Sequence, residues 1–298
     1  MDLLQAADAF ILHCRSIRKL SPHTVRAYQL DLRDFIRFAG GGREVAACER
    51  QLLQNYVRHL FDVGELKESS VKRHLATLRS FFRWFEDDRD DFADPFRTTK
   101  IRIRMPKRLP RVIARGDLRR LLRHEDGSTF ADLTGYVATE LLFATGMRVS
   151  ELASLLDRAV DLEDGTITII GKGNRQRRVF VPDDVKPLLA QYRLARDRTS
   201  PAAETFLVNS RGDAASAQLI RRLVRVRGER CALRDRITPH MFRHSVATYL
   251  LEEGVDIRYV QRLLGHRSIS TTEIYTHVAD ASLRVRITER HPRRGIVG

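Results

Sequence analysis

His240, Arg243 and His244 stand three and four residues apart in Thr238-Pro239-His240-Met241-Phe242-Arg243-His244. On a helix that spacing puts all three side chains on one side. The same helix would bury Val246, Leu250 and Leu251. It is then anchored in a core, while its first turn points outward with the partial positive charge of a helix N-terminus. Polar, potentially cationic groups beside such a terminus make a site for an anion. Two histidines four residues apart could instead hold zinc. Here, however, Arg243 stands between them, and a fixed cation is a poor neighbour for a divalent metal. His244, followed directly by core positions, also reads as a structural histidine.

Other residues able to do chemistry sit at element ends. Arg148 lies between a buried helix, residues 133–145, that Gly146 closes and a second helix over residues 149–156. Glu151 falls on that second helix, either supporting Arg148 through hydrogen bonds or lying as a surface charge. Asp164-Gly165 is a hairpin turn leading to the strand Thr166-Ile167-Thr168-Ile169-Ile170, and Arg178-Val179-Phe180-Val181 returns. Lys172 occupies the turn Gly171-Lys172-Gly173-Asn174 between them. Gly254 closes the helix that Thr238-Pro239 opens, Asp256 and Gly265 bound the next, and Ser270 with Glu273 forms a capping box. His266 follows Gly265, nine residues before Tyr275 on this last capped segment. Taken alone, the stretch fits two ordinary helices.

The totals narrow the partner. Lys plus Arg number 53 against 38 Asp plus Glu, a net charge of +15 with a sequence pI near 10.4, so a polyanion is expected. A GC-rich codon bias accounts for part of the arginine excess but not for the net charge. No apolar run approaches a membrane span, and the N-terminus lacks a secretory pattern, so the chain is expected in the cytoplasm. Cys14, Cys48 and Cys231 are scattered and read as reduced structural cysteines.

At 298 residues the chain suits two domains. Four apolar stripes of helical spacing fill its first 86 residues: Leu3 to Cys14, Val25 to Ile36, Leu52 to Phe61 and Val71 to Phe85. The second begins where Ser21 can cap and Pro22 takes the first helical position. On the fourth, Lys72, Arg73, Arg79 and Arg83 lie off the stripe, as a solvated face or a phosphate-contacting one. Residues 97–111 hold seven basic residues, no acid, and Pro106 and Pro110, the composition of an extended linker. We read residues 1–96 as a helical domain, 97–111 as a basic linker and 112–298 as a second domain with a C-terminal tail.

The run Leu263-Leu264-Gly265-His266-Arg267-Ser268 through Tyr275-Thr276-His277-Val278 resembles the C-terminal signature of the tyrosine recombinase (lambda integrase) family, and residues 238–278 resemble its Xer type most. Ala144-Thr145-Gly146-Met147-Arg148-Val149-Ser150-Glu151-Leu152 resembles that family's first arginine box, and Gly171-Lys172-Gly173-Asn174 its hairpin lysine. The likeness reaches Ser21-Pro22-His23-Thr24 and the segment from Ser69 to Phe85, so it spans nearly the whole chain. Phe242, where leucine is expected, and an Arg-rich tail after Val278 depart from the pattern. The resemblance implies a mainly α fold with a small antiparallel β-sheet in the C-terminal domain, two domains closing as a clamp on DNA. It implies Arg148, Lys172, His240, Arg243 and His266 as an activating cluster and Tyr275 as nucleophile.

That set has a coherent chemistry. A tyrosine hydroxyl must lose its proton during attack, and His240 or His266 can take it. Arg148 and Arg243 would balance the charge that builds on five-coordinate phosphorus. Lys172, on a Gly-flanked turn, would protonate the departing 5′ oxygen. No paired carboxylates accompany the six to hold Mg²⁺, and no Gly-x-x-x-x-Gly-Lys loop appears, so neither metal cofactor nor ATP is expected. The expected partners are double-stranded DNA with a specific recombination site and three further protomers, as a homotetramer or a heterotetramer with a second recombinase. The tail is expected to dock on an adjacent subunit. A type IB-like topoisomerase and a non-cutting DNA-binding regulator are the alternatives; a full catalytic set argues against the regulator.

Overall fold

The computed structural model describes residues 1–87, 89–98, 101–104, 111–123, 129–171, 176–199 and 202–265. The chain divides into two compact units, residues 1–107 and 108–298; the division falls inside the basic stretch that the sequence marks as a linker.

The first unit is built from α1 (Leu3–Ser16), α2 (Pro22–Ala39), α3 (Arg50–Asp62) and α4 (Glu68–Asp87). The local signals act as expected: the Ser21 hydroxyl accepts from the Thr24 amide at 3.2 Å, and Pro22 sits where no N–H is needed. Phe10, Phe35, Tyr56, Phe81 and Phe82 are fully buried, with edge-on contacts between Phe10 and Phe81 and between Phe35 and Tyr56. One charge is buried with them. Asp31 accepts from Arg73 and from the Thr77 hydroxyl at 2.7 Å, and His74 Nε2 lies 3.2 Å from it. Arg73 is thus partly committed inside its own domain, so the α4 cations do not form one uniform solvated face.

The second unit holds α5 (Arg115–Leu121), α6 (Phe130–Thr145), α7 (Val149–Ala153), β1 (Val160–Asp161), β2 (Thr166–Ile170), β3 (Gln176–Phe180), α8 (Lys186–Asp197), α9 (Ala217–Arg230), α10 (Pro239–Glu252) and α11 (Ile257–Leu264). The strands form an antiparallel sheet in the order β1-β2-β3, with Ile167 paired to Val179 and Ile169 to Arg177. α6 is apolar nearly all round and packs against α8, α9 and α10. A capping box of Thr129 and Asp132 opens it and Gly146, at φ +61°, ends it.

Two features differ from the sequence reading. The helix expected over residues 149–156 stops at Ala153. The Ser154 hydroxyl bonds back to the Ser150 carbonyl at 3.0 Å, and the chain passes into a 3-10 turn at Asp157–Ala159. Helices α5, α8 and α9 have no marked signature in the sequence. On α9 only Ile220, Val224 and Gly228 are buried among a run of arginines, too sparse a stripe to stand out. Among the described residues, no helix is long and apolar enough to cross a membrane.

Candidate active site

Arg148 caps the N-terminus of α7, two residues after the glycine that ends α6, and its side chain is 38% exposed. Glu151, one turn on, holds it there. The carboxylate accepts from the Arg148 amide at 2.8 Å and from Arg148 Nη1 at 2.9 Å. The two readings left open for Glu151 are thereby separated, because the residue is only 6% exposed. It also receives Arg177 of β3 through two parallel hydrogen bonds of 3.0 and 2.8 Å. Burial alone would raise its pKa, but the hydrogen bonds from Arg177 and Arg148 overcome this and hold it at about 2.

The helix expected to carry His240, Arg243 and His244 is α10, and Pro239 occupies its first turn. Its three side chains do not all point outward. His240 is exposed and His244 half-buried, whereas Arg243 is only 5% exposed. The guanidinium turns inward because two helix ends offer it acceptors: Nη1 donates to the Gly146 carbonyl at 2.7 Å and Nη2 to the Leu264 carbonyl at 2.6 Å. Gly146 closes α6 and Leu264 is the last residue of α11, so Arg243 joins the C-terminal ends of two helices, where a cation is favoured.

Both histidines are held below the ordinary imidazole pKa. For His240 the cause is partial desolvation by the surrounding protein, although the residue as a whole is exposed, followed by the charges of Arg243, Arg221 and Arg148. For His244 it is burial, followed by His240 and Arg243. Each is therefore biased to the neutral form, which can accept a proton. The Gly146 carbonyl that takes Arg243 lies two residues before Arg148, and His240 stands one turn before Arg243 on α10, so the three share one neighbourhood at the meeting of α6, α7, α10 and α11. Arg221 on α9 adds its charge to the field on His240, and nothing in the Arg-rich α9 sequence singles that residue out. Lys172, His266 and Tyr275 lie outside the described residues, as do the capping box of Ser270 and Glu273 and the tail.

Residues 111–282 match the phage integrase family, and residues 7–88 match the phage integrase N-terminal SAM-like domain. The tyrosine recombinase XerC of Halalkalibacterium halodurans is 33% identical over 298 residues, covering 97% of this chain and 98% of that protein. The tyrosine recombinase XerD of Listeria monocytogenes serotype 4b is 35% identical over 286 residues, covering 93% and 95%. Among solved structures, the XerA recombinase covers 97% of this chain and 99% of its own at 25% identity, with a TM-score of 0.55. The XerH site-specific recombinase bound to a palindromic difH substrate covers 95% and 85% at 22% identity, with a TM-score of 0.76, a likeness of fold.

The chain belongs to the phage integrase family of tyrosine recombinases, and its similarity is to the Xer type. It is a site-specific recombinase, an enzyme that cleaves and rejoins DNA through a tyrosine nucleophile.

Proposed function

We propose that Tyr275 is that nucleophile and that Arg148, Lys172, His240, Arg243 and His266 activate the phosphodiester it attacks. The Tyr275 oxygen bonds to phosphorus as the bond to the 5′ oxygen breaks, leaving a 3′-phosphotyrosyl ester and a free 5′ hydroxyl. The tyrosine proton passes to His240 or His266, and Lys172 supplies the proton that the 5′ oxygen needs. Arg148 and Arg243 balance the charge gathering on the non-bridging oxygens. The observation that carries this reading is the meeting of Arg148, Arg243 and a neutral-biased His240 at the ends of α6, α7 and α11.

Residues 1–96 then serve as the core-binding domain of a two-domain clamp, 97–111 as its linker and 112–298 as the catalytic domain. Strand exchange between two duplexes cuts four strands, and each chain supplies one Tyr275, so the active assembly holds four protomers, with or without a second recombinase. We assign the enzyme to the cytoplasm, in chromosome-dimer resolution or the service of a mobile element.

The test is a nicked suicide duplex carrying the enzyme's own site. The full chain traps a covalent protein–DNA adduct on a denaturing gel. Tyr275→Phe, which removes one oxygen and little volume, binds the duplex and gives no adduct, and Arg243→Ala gives only traces. An adduct from Tyr275→Phe would refute the assignment.

A further inference from the structure

Arg177 has no part in the chemistry just described, yet it makes three hydrogen bonds beside Arg148. It stands on β3 with its side chain 14% exposed. Besides its two bonds to Glu151, its Nε donates to the Leu263 carbonyl at 3.0 Å. The end of α11 is packed closely against it: a Cβ added to Gly265 would lie 3.2 Å from Arg177 Nη1 and 3.3 Å from Cδ. Gly265 itself, at φ +64°, is in the left-handed conformation that glycine favours. The last two carbonyls of α11 therefore each take a guanidinium, Leu263 from Arg177 and Leu264 from Arg243. Through Glu151, the first of these is continuous with Arg148. In sequence, Gly265 leads directly to His266.

We infer that Arg177 is a positioning residue for DNA cleavage. It fixes the Arg148 guanidinium through Glu151 and ties that pair to the end of α11, the element from which the His266 and Tyr275 segment departs. The geometry needs arginine. Its planar fork spans both Glu151 oxygens while Nε reaches a third acceptor, whereas a lysine ammonium offers a point charge that cannot meet all three in one plane. Nor is Arg177 suited to hold the phosphate itself, since each of its terminal nitrogens is already committed to the carboxylate by one N–H and the side chain is largely buried.

This inference rests on the reading of Arg148 as a phosphate ligand, and one set of measurements separates the two. Single-turnover adduct formation on the suicide duplex, with the full chain at saturating DNA, is compared for wild type, Arg148→Ala, Arg177→Lys and the double variant. Site affinity and thermal melting are followed in parallel. Loss of cleavage in Arg148→Ala tests the underlying reading. For Arg177→Lys, which keeps the buried charge, we expect the chemical step to slow by on the order of 10- to 100-fold with site affinity unchanged. We also expect the double variant to be no slower than Arg148→Ala, because a residue that acts only through Arg148 has nothing left to position. A second readout uses a methylphosphonate at the scissile position, which removes one anionic oxygen. The Arg177→Lys deficit should shrink on it, as the Arg148→Ala deficit does. Arg177→Met provides the same comparison should the lysine variant melt early. Losses that add in the double variant, deficits equal on both substrates, or a wild-type cleavage rate in Arg177→Lys would each overturn the inference.

Discussion

Asp31 in the helical unit and Glu151 in the larger one are both carboxylates nearly shut off from water, 1% and 6% exposed, and each is held by arginine. Their surroundings differ in sign. Asp31 shares its oxygens among one half-exposed guanidinium, a threonine hydroxyl and His74, whose other ring nitrogen is 3.0 Å from the Tyr56 hydroxyl. Burial pushes the His74 pKa down, so the cluster is close to one negative charge against one positive. Glu151 instead receives two guanidiniums, and the less buried of them, Arg148, remains 38% exposed. The same device, a buried carboxylate fastening arginine, fixes helix packing in one place. In the other it leaves a surplus of positive charge beside an imidazole biased to neutrality. Preorganised excess cation of this kind favours an anion that gains charge during reaction.

The comparison breaks most sharply by truncation. Glu151→Ala strands the largely buried Arg177 and frees Arg148, so the larger unit should lose roughly 3–5 kcal/mol and cleavage should disappear. Asp31→Ala should cost less, about 1–3 kcal/mol, because Arg73 can turn to solvent and only the His74 and Thr77 groups stay unsatisfied. At saturating DNA its cleavage rate should match wild type. Urea melts and single-turnover rates of the two variants check this; equal loss of cleavage would erase the contrast.

A smaller effect sharpens it. The Glu151 pKa of about 2 lies below its unfolded value near 4.5. The stability that it contributes is therefore fully present above pH 4.5 and is lost as pH falls through about 2. The shift corresponds to roughly 3 kcal/mol. The difference in unfolding free energy between wild type and Glu151→Gln should narrow over that window. A gap independent of pH would mean that the carboxylate's charge is not what the two arginines bind.

Much of this was legible in the sequence, where the signals are local. Ser21, Asp256, Gly146 and Gly265 act as helix punctuation at the positions expected, and the Asp164-Gly165 turn leads into β2. His240, Arg243 and His244 fall on one helix as their spacing requires. What the spacing could not reveal was the inward turn of Arg243, which depends on carbonyls 97 and 21 residues away in sequence. Arg177 does carry a signal in the sequence. It alternates with Val179 and Val181, 1% and 6% exposed, and so occupies an inward strand position, where a charge needs a partner. The early end of α7 rests on a side-chain bond from Ser154 that no apolar periodicity encodes.

Which side chain bonds to DNA decides the mechanism, and peptide mapping of the trapped adduct reads that directly. Trypsin cuts after Arg267 and Arg284, so residues 268–284 are released as one peptide in which Tyr275 is the sole tyrosine. Mass spectrometry of the nuclease-trimmed adduct should find the nucleotide remnant on that peptide, at Tyr275, and nowhere else. A remnant on any other residue, or an adduct that persists in Tyr275→Phe, would contradict the account.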